Sequence, residues 1–109
     1  MTREDWEVVY DPTRDWGQIR HKQGTEHNIQ FQHGPIGDNG INGIQNEELI
    51  ALLIMRLEQL DLRMPCDENK EALTGLNVAL VALAGRTAKR EAQGVEGTVR
   101  PHSSTEERL

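Results

Sequence analysis

The sequence is short of cysteine, of aromatic residues and of long apolar runs. Its 109 residues include one cysteine, Cys66, which excludes an internal disulfide framework and is consistent with a reducing compartment. Aromatic residues make up only 4% of the chain, so aliphatic side chains must supply most of a thin core. The longest apolar stretch, Leu49–Met55, is too short to span a bilayer, and no apolar run follows the charged start. We therefore expect one small cytoplasmic domain.

The chain also lacks an excess of positive charge. Its net charge of −6 argues against non-specific binding to DNA or to an anionic membrane, because long-range repulsion opposes the approach of either. A local cluster of cations can still bind a small anion, since salt screens the mean field beyond roughly 8 Å. The charge therefore excludes polyanion binding more strongly than it excludes an anionic small molecule.

The first third of the chain has the composition of short strands and turns. Trp6–Tyr10 is β-prone and stops at a turn signal, Asp11-Pro12. Trp16 and Ile19 are isolated apolar anchors in a polar stretch, and we expect the region to residue 26 to be ordered only by docking. The next segment alternates, which predicts a strand whose one face carries His27, Ile29, Phe31 and His33.

Glycine then falls at every third position of residues 34–43. This pattern favours a tight connection that uses positive φ at glycine. The alternative is a loop whose backbone N–H groups approach a ligand phosphate. The spacing matches neither the dinucleotide fingerprint nor the P-loop, which also needs a lysine that is absent here.

Two helices are predicted for the second half, Asn46–Leu62 and Asp67–Gln93. Pro65 separates them, Asp67 is a candidate cap of the second, and Gly94 is placed to end it. The connection is short, so the helices must be antiparallel neighbours. The helical stripes expected to meet are Leu49, Leu53, Leu57 and Leu60 in one helix and Leu73, Leu76, Leu80 and Leu83 in the other. The fold class is therefore α+β: short antiparallel strands followed by an antiparallel helical hairpin.

The second helix carries an unusual row of small residues. Glycine inside a helix costs about 1 kcal/mol relative to alanine, so two such glycines require a reason, and the close approach of another helix is the simplest. Because the leucine stripe already faces the first helix, we expect this second face to meet another subunit in a homo-oligomer. The residues concerned are Gly75, Val78, Ala79, Ala82 and Gly85.

The chain is divided into three parts on this basis. Residues 1–26 form an N-terminal extension with one strand, and residues 27–98 form a domain that contains the second strand, the glycine-rich loop and the helical hairpin 46–93. Residues 99–109 lack a periodic apolar pattern and are expected to form a flexible tail.

Catalysis finds little support in the sequence. The four histidines have no cysteine or carboxylate partners at metal-ligand spacings, and neither a nucleophile elbow nor a Cys–His pair is recognisable. We expect no catalytic residue, no metal site and no cofactor. The protein is predicted not to be an enzyme.

The only dense basic cluster is formed by Arg86, Lys89 and Arg90 at the end of the second helix. One interpretation is that these cations complement the negative end of the helix dipole, worth about 0.3–1 kcal/mol each. The other starts from the spacing of Arg86 and Arg90, one helical turn apart beside the small-residue row, where two guanidinium groups can bind a phosphate. The leucine stripe of this helix is bracketed by Asn69 at one end and by Thr87 and Arg90 at the other. We expect these polar groups to point outward.

A set of short segments in this order resembles a family of small phage proteins. The family shares the hairpin domain of the Thoeris anti-defence and anti-CBASS signal sponges, and the resemblance covers about Ile29–Thr98. The segments are Phe31–Ile36, Gly40–Gly43, Asn46–Glu47, Glu68–Asn69, Ala72–Thr74, Arg86–Thr87 and Gly94–Thr98.

The resemblance implies a homo-oligomer, either a dimer or a hexamer, that binds nucleotide messengers of bacterial immunity without degrading them. The messengers would be cyclic ADP-ribose isomers or cyclic di- and trinucleotides, and the protein would act in the host bacterial cytoplasm. It implies ligand contacts from Asn69, Arg86 and Arg90, and a second pocket lined by Thr87. Family members often carry a stacking aromatic residue late in the first helix, where this chain has Gln59, Leu60 and Leu62; Phe31, Trp6 or Trp16 could substitute for it. Phe31 and His33 complete the predicted ligand-binding set.

The sequence is therefore consistent with two functions. The first is a signal sponge with arginine-lined pockets at subunit interfaces. The alternative is a helical hairpin that oligomerises or docks on another protein, with no small-molecule ligand. The binding of a cyclic nucleotide discriminates between the two. We expect neither a membrane nor a nucleic-acid polymer as a partner.

Overall fold

The protein has an α+β fold, as predicted. Its structure, a computed structural model, describes residues 4–92, with only the backbone of residues 91 and 92. These residues form two compact units, one up to Gln45 and one from Asn46 onward. The elements are β1 (Trp6–Asp11), β2 (Trp16–His21), β3 (Glu26–Gln30), α1 (Ile36–Asn39), α2 (Asn46–Arg63) and α3 (Asp67–Ala92).

The first unit is built on an antiparallel sheet in the order β1-β2-β3. The expectation that the region to residue 26 is ordered only by docking is wrong, because Trp16–His21 is the central strand of this sheet. This strand was missed because Trp16 and Ile19 are its only large apolar residues, and their spacing of three does not give the period-two alternation of a strand. The sheet includes residues on both sides of the boundary predicted at residue 26. The division of the chain into three parts stays a prediction.

Gln18 explains how a polar residue can occupy the centre of this sheet. Its side chain is 7% exposed, and its amide donates to Glu26 Oε2 and to Asn28 Oδ1, each at 2.8 Å. Its Oε1 accepts a hydrogen bond from Arg20 Nε. A buried polar group is tolerated when its hydrogen bonds are made, so this face of the sheet is held together by a polar network.

The glycine-rich segment is a tight connection fastened to the end of β3. The strand ends at Gln30, earlier than the alternation predicted, and Phe31 then pairs with Ile44 in an isolated parallel bridge. The Gln32 side chain donates to the carbonyls of Gly34 and Gly40 and accepts the N–H of Asn42. Gly34 and Gly40 adopt positive φ. These contacts favour the first interpretation of the glycine pattern, and α1 lies within the connection.

The second unit is the predicted helical hairpin. Cys66, not Asp67, caps α3, because its Sγ accepts the N–H of Asn69 and its carbonyl accepts that of Lys70. The leucine stripe of α3 is half-buried throughout, whereas the stripe predicted for α2 is wrong in part. Leu53 is 42% exposed, and Ile54, at 8%, is the buried residue of this helix. Seven consecutive apolar residues give no phase to a helical pattern, which is why the inward face was misplaced.

Among the residues that the structure describes, nothing covers the small-residue face of α3. A Cβ built at Gly75 or at Gly85 would meet no atom of these residues within 4 Å, and Val78 and Val81 are 65% and 72% exposed. No helix within the described residues is long and apolar enough to cross a membrane. The predicted end of the hairpin at Gln93, its cap at Gly94 and the tail 99–109 lie outside the described residues.

Candidate ligand-binding site

The open end of the hairpin brings Thr87 to Glu47. Because α2 and α3 run antiparallel, the second residue of α2 lies beside the late turns of α3. The hydroxyl of Thr87 donates a hydrogen bond of 2.9 Å to Glu47 Oε2 in a half-buried position. Thr87 is therefore held against the partner helix and does not point outward, which corrects the expectation from the sequence.

The two predicted phosphate ligands lie on either side of Thr87 along α3. Arg86 is half-buried, whereas Arg90 is only 3% exposed. Residues three apart on a helix are neighbours, so Thr87 and Arg90 share one side of α3. The expectation that Arg90 points outward is wrong, and an incoming anion meets Arg86 more readily than it meets Arg90.

Asn69 lies at the other end of the hairpin. Arg86 follows Asn69 by seventeen positions in α3, which corresponds to about 26 Å at the rise of an α-helix. The Asn69 side-chain amide donates to the carbonyl of Met64 at 3.3 Å and lies 3.5 Å from Asp61 Oδ1. Asn69 thus faces the interhelical turn, not outward as expected, and one chain cannot bring it to the same small ligand as Arg86.

Asp61 organises the turn that Asn69 faces. Its carboxylate forms a salt bridge of 3.1 Å with Lys70 and accepts the N–H of Cys66 at 3.1 Å. The hydrogen bond from Lys70 and then that from Cys66 lower the pKa of Asp61 below its ordinary value of 3.8. The cluster has an evident structural role, which is to hold the start of α3 against the end of α2.

Phe31 and His33, the remaining predicted ligand residues, belong to the first unit. Phe31 packs against Gly17, with 3.7 Å between its Cε2 and a Cβ built there, and its N–H donates to the carbonyl of Asp15. His33 Nδ1 lies 2.9 Å from Asp15 Oδ2. Tyr10 donates to the other oxygen of Asp15, and this hydrogen bond is the main cause of the raised pKa of Tyr10. Their role toward a ligand stays a prediction.

The sequence analysis missed the partners that position these side chains. Glu47 was interpreted only as a charge at the start of a helix, and Asp15 was not singled out. The antiparallel hairpin predicted from the short connection already places the start of α2 beside the late turns of α3, and that placement was the available signal for Glu47. No such signal in the sequence pointed to Asp15. Its positive φ of 53° is uncommon for a residue other than glycine, and its contacts depend on the path of the chain after β3.

Comparison with known proteins agrees with this hairpin geometry. A family model described as "Acb2/Tad1, hairpin domain" matches residues 23–88. The chain belongs to the Acb2/Tad1 hairpin-domain family. The resemblance noted from the sequence is thereby confirmed. The region that matches this family includes Asn69, Arg86 and Thr87 and stops short of Arg90.

A curated protein is similar to this member of the Acb2/Tad1 hairpin-domain family. It is Thoeris anti-defense 1 of Bacillus phage SBSphiJ7, which is 48% identical over 71 residues. The aligned region covers 64% of this chain and 50% of that protein, so the chain spans about half the length of the relative.

Proposed function

We propose that this protein is a phage anti-defence protein that sequesters a nucleotide second messenger of bacterial immunity without cleaving it. Two observations together support the proposal. Arg86 and Thr87 are adjacent on α3, where Thr87 is hydrogen-bonded to Glu47 of α2, and the chain is 48% identical to a Thoeris anti-defence protein over the aligned region. The messenger would be a cyclic ADP-ribose isomer or a cyclic oligonucleotide, bound in the cytoplasm of an infected bacterium. Arginine is well suited to such ligands, because its guanidinium group binds phosphate oxygens bidentately.

The geometry of α3 supports a site shared between copies of the chain. If Asn69 and Arg86 both contact one ligand, the distance of about 26 Å between them requires that they come from two subunits. The open face with Gly75 and Gly85 offers a surface on which two α3 helices can approach closely. Antiparallel packing across that face would bring the start of one α3 to the end of the other. A homo-oligomer is therefore part of the proposal.

The proposal is tested by isothermal titration calorimetry with cyclic ADP-ribose isomers, cyclic dinucleotides and cyclic trinucleotides. We expect micromolar or tighter binding of at least one of them. Arg86→Ala should weaken that binding by about 10- to 100-fold, because it removes a charge-assisted hydrogen bond to phosphate. Arg56→Ala is the matched control: it removes the same charge from an exposed position in α2 and should leave the affinity unchanged.

Two further outcomes decide between the hypotheses. Bound nucleotide that is recovered intact after denaturation excludes turnover, whereas a cleaved product would contradict sequestration. No heat with any compound of the panel, together with capture of a stoichiometric protein partner from infected cells, would replace the proposal by the interaction module.

A further inference from the structure

The hydrogen bond between Thr87 and Glu47 fixes which kind of ligand atom Thr87 can bind. A hydroxyl has one hydrogen to donate and two lone pairs that accept, whereas a carboxylate only accepts. At 2.9 Å the hydrogen of Thr87 is committed to Glu47 Oε2. The remaining capacity of Thr87 Oγ1 is therefore that of an acceptor alone.

The position of Glu47 keeps this polarity in place. Glu47 is the second residue of α2, where the backbone N–H groups of the first turn and the positive end of the helix dipole stabilise a negative charge. Hydrogen bonds to a carboxylate are about twice as strong as those between neutral groups. Thr87 lies forty residues along the chain, so packing of α2 against α3 holds the two groups together.

An acceptor at this point cannot bind the non-esterified oxygen of a phosphate, which is itself an acceptor. The charge of Glu47 also repels a phosphate, while an N–H or O–H group of the ligand is attracted by both. We propose that Glu47 is a positioning residue that presents Thr87 Oγ1 as an acceptor for a sugar hydroxyl or a nucleobase amine, whereas Arg86 takes the phosphate. This inference rests on the proposed function and adds to it which part of the nucleotide each residue recognises.

The test compares nucleotides that differ by one donor group. The probes are cyclic di-AMP, its counterpart in which hydrogen replaces each adenine amine, and cyclic ADP-ribose with its inosine counterpart, in which a carbonyl replaces the amine. Each parent nucleotide is also compared with its deoxyribose counterpart. By calorimetry, the wild-type protein should prefer a probe that carries the donor by about tenfold or more, because loss of one partner leaves a buried polar group unsatisfied. Arg86→Ala should weaken all probes alike and leave that preference unchanged.

Glu47→Gln separates positioning from packing. The amide has nearly the same shape as the carboxylate but can donate to Thr87, which frees the hydroxyl to donate to the ligand. We expect the preference to fall below about threefold, and Thr87→Val to remove it, while Thr87→Ser retains it. Glu48→Gln is the matched control, because it removes the same charge from the next residue of α2. That control should behave as the wild type does, and circular dichroism should give equal helicity for all variants.

The outcomes distinguish this inference from the function on which it rests. No heat from the wild-type protein with any probe removes the proposed function and this inference with it. Binding with a preference that Glu47→Gln leaves intact overturns the inference alone. A preference for the probe that lacks the donor overturns it as well, because Thr87 would then be donating.

Discussion

At each end of the hairpin, a polar side chain of α3 contacts an acidic residue of α2. Asn69 faces Asp61 at the closed end, and Thr87 donates to Glu47 at the open end. Both acids belong to α2 and both polar residues to α3, so residues that the family resemblance assigns to ligand binding also join the two helices. A variant of either polar residue will therefore alter hairpin stability as well as affinity, and only a comparison between ligands separates the two effects.

At Gly43 a side chain is excluded by the close approach of another backbone segment. A Cβ at this position would overlap the backbone carbonyl groups of Phe31 and Gln30, where the chain after the glycine-rich segment pairs with the end of β3. We expect Gly43→Ala to destabilise the first unit by about 1–3 kcal/mol, as overpacking does elsewhere. Urea unfolding measures the change.

Gly17→Ala is the control for this prediction. Gly17 is also buried, but its new methyl group would lie at ordinary contact distance from the Phe31 ring, 3.7 Å. We expect a change of less than about 1 kcal/mol for Gly17→Ala. Equal losses in the two variants would contradict the steric argument.

At the scale of elements, the turn between α2 and α3 depends on the charge of Asp61. Hydrogen bonds from Lys70 and Cys66 lower the pKa of Asp61 in the folded chain. The stability that the carboxylate contributes is therefore fully present above its unfolded pKa, near 3.8, and is lost as the pH falls through the lower folded value.

Asp61→Asn should remove this contribution. We expect the difference in unfolding free energy between wild type and variant to be constant above about pH 5 and to shrink below about pH 4. Urea titrations followed by circular dichroism at several pH values measure it. Glu58→Gln removes the same charge from an exposed position of the same helix and should change the unfolding free energy at neutral pH by less than about 0.5 kcal/mol. A difference for Asp61→Asn that grows toward low pH would refute the assignment.

The inward face of α2 offers a second test at this scale. Ile54→Ala should cost about 2–4 kcal/mol, because it removes the buried apolar side chain of this helix. Leu53→Ala, the adjacent residue at 42% exposure, should cost less than about 1 kcal/mol. Thermal and urea unfolding measure both. The reverse order would restore the leucine stripe that the sequence predicted.

How far the elements could be predicted follows from the kind of signal that each one carries. The start of α2 and the two helix ends at the turn were predicted to within one residue, because the break at Pro65 marks the turn locally. The strand Trp16–His21 was missed, because its stability comes from pairing with β1 and β3, and no local pattern reports that. The contact of Thr87 with Glu47 could be predicted only by knowing which residues of α2 face α3. The continuous apolar run Leu49–Met55 does not show which side of α2 faces inward.

At the scale of the whole molecule, the core is thin and much apolar surface stays uncovered in one chain. Ile54 is the one large apolar side chain that is buried among the described residues, while Leu52, Met55 and Leu62 on α2 are more than 60% exposed. Small chains with so little burial commonly gain stability from association. The open face of α3 is the surface on which we expect a second copy to pack.

Gly85→Leu tests whether that face is an interface. Within one chain the substitution should stabilise the helix, because leucine is the better helix former by about 0.8 kcal/mol and a Cβ meets nothing there. Across an interface the same side chain would force the helices apart. We therefore expect light scattering to report a shift toward monomer with helicity retained. Ala84→Leu, at the next exposed position, should leave the mass unchanged, and an unchanged mass for Gly85→Leu would contradict the interface.

Charged residues at the two ends of this face predict how two copies are oriented. Glu71 and Lys89 lie at equal distances along α3 from Leu80, as do Gly75 and Gly85. In a two-fold interface, a residue that contacts a second residue of the other copy is matched by the reverse contact, so antiparallel helices that cross at the level of Leu80 would pair each Glu71 with the Lys89 of the other copy. Such a pair contributes at most about 1 kcal/mol at a surface, and symmetry doubles it.

Charge reversal tests this orientation. Lys89→Glu should weaken self-association by up to about 30-fold at low salt, because both pairs become repulsive. Adding Glu71→Lys should restore the affinity, which only direct pairing can explain, and high salt should reduce both effects because it screens exposed charges. Sedimentation at micromolar concentration measures the association. A double variant that associates no better than either single variant would refute antiparallel packing about Leu80 while leaving a differently oriented oligomer possible.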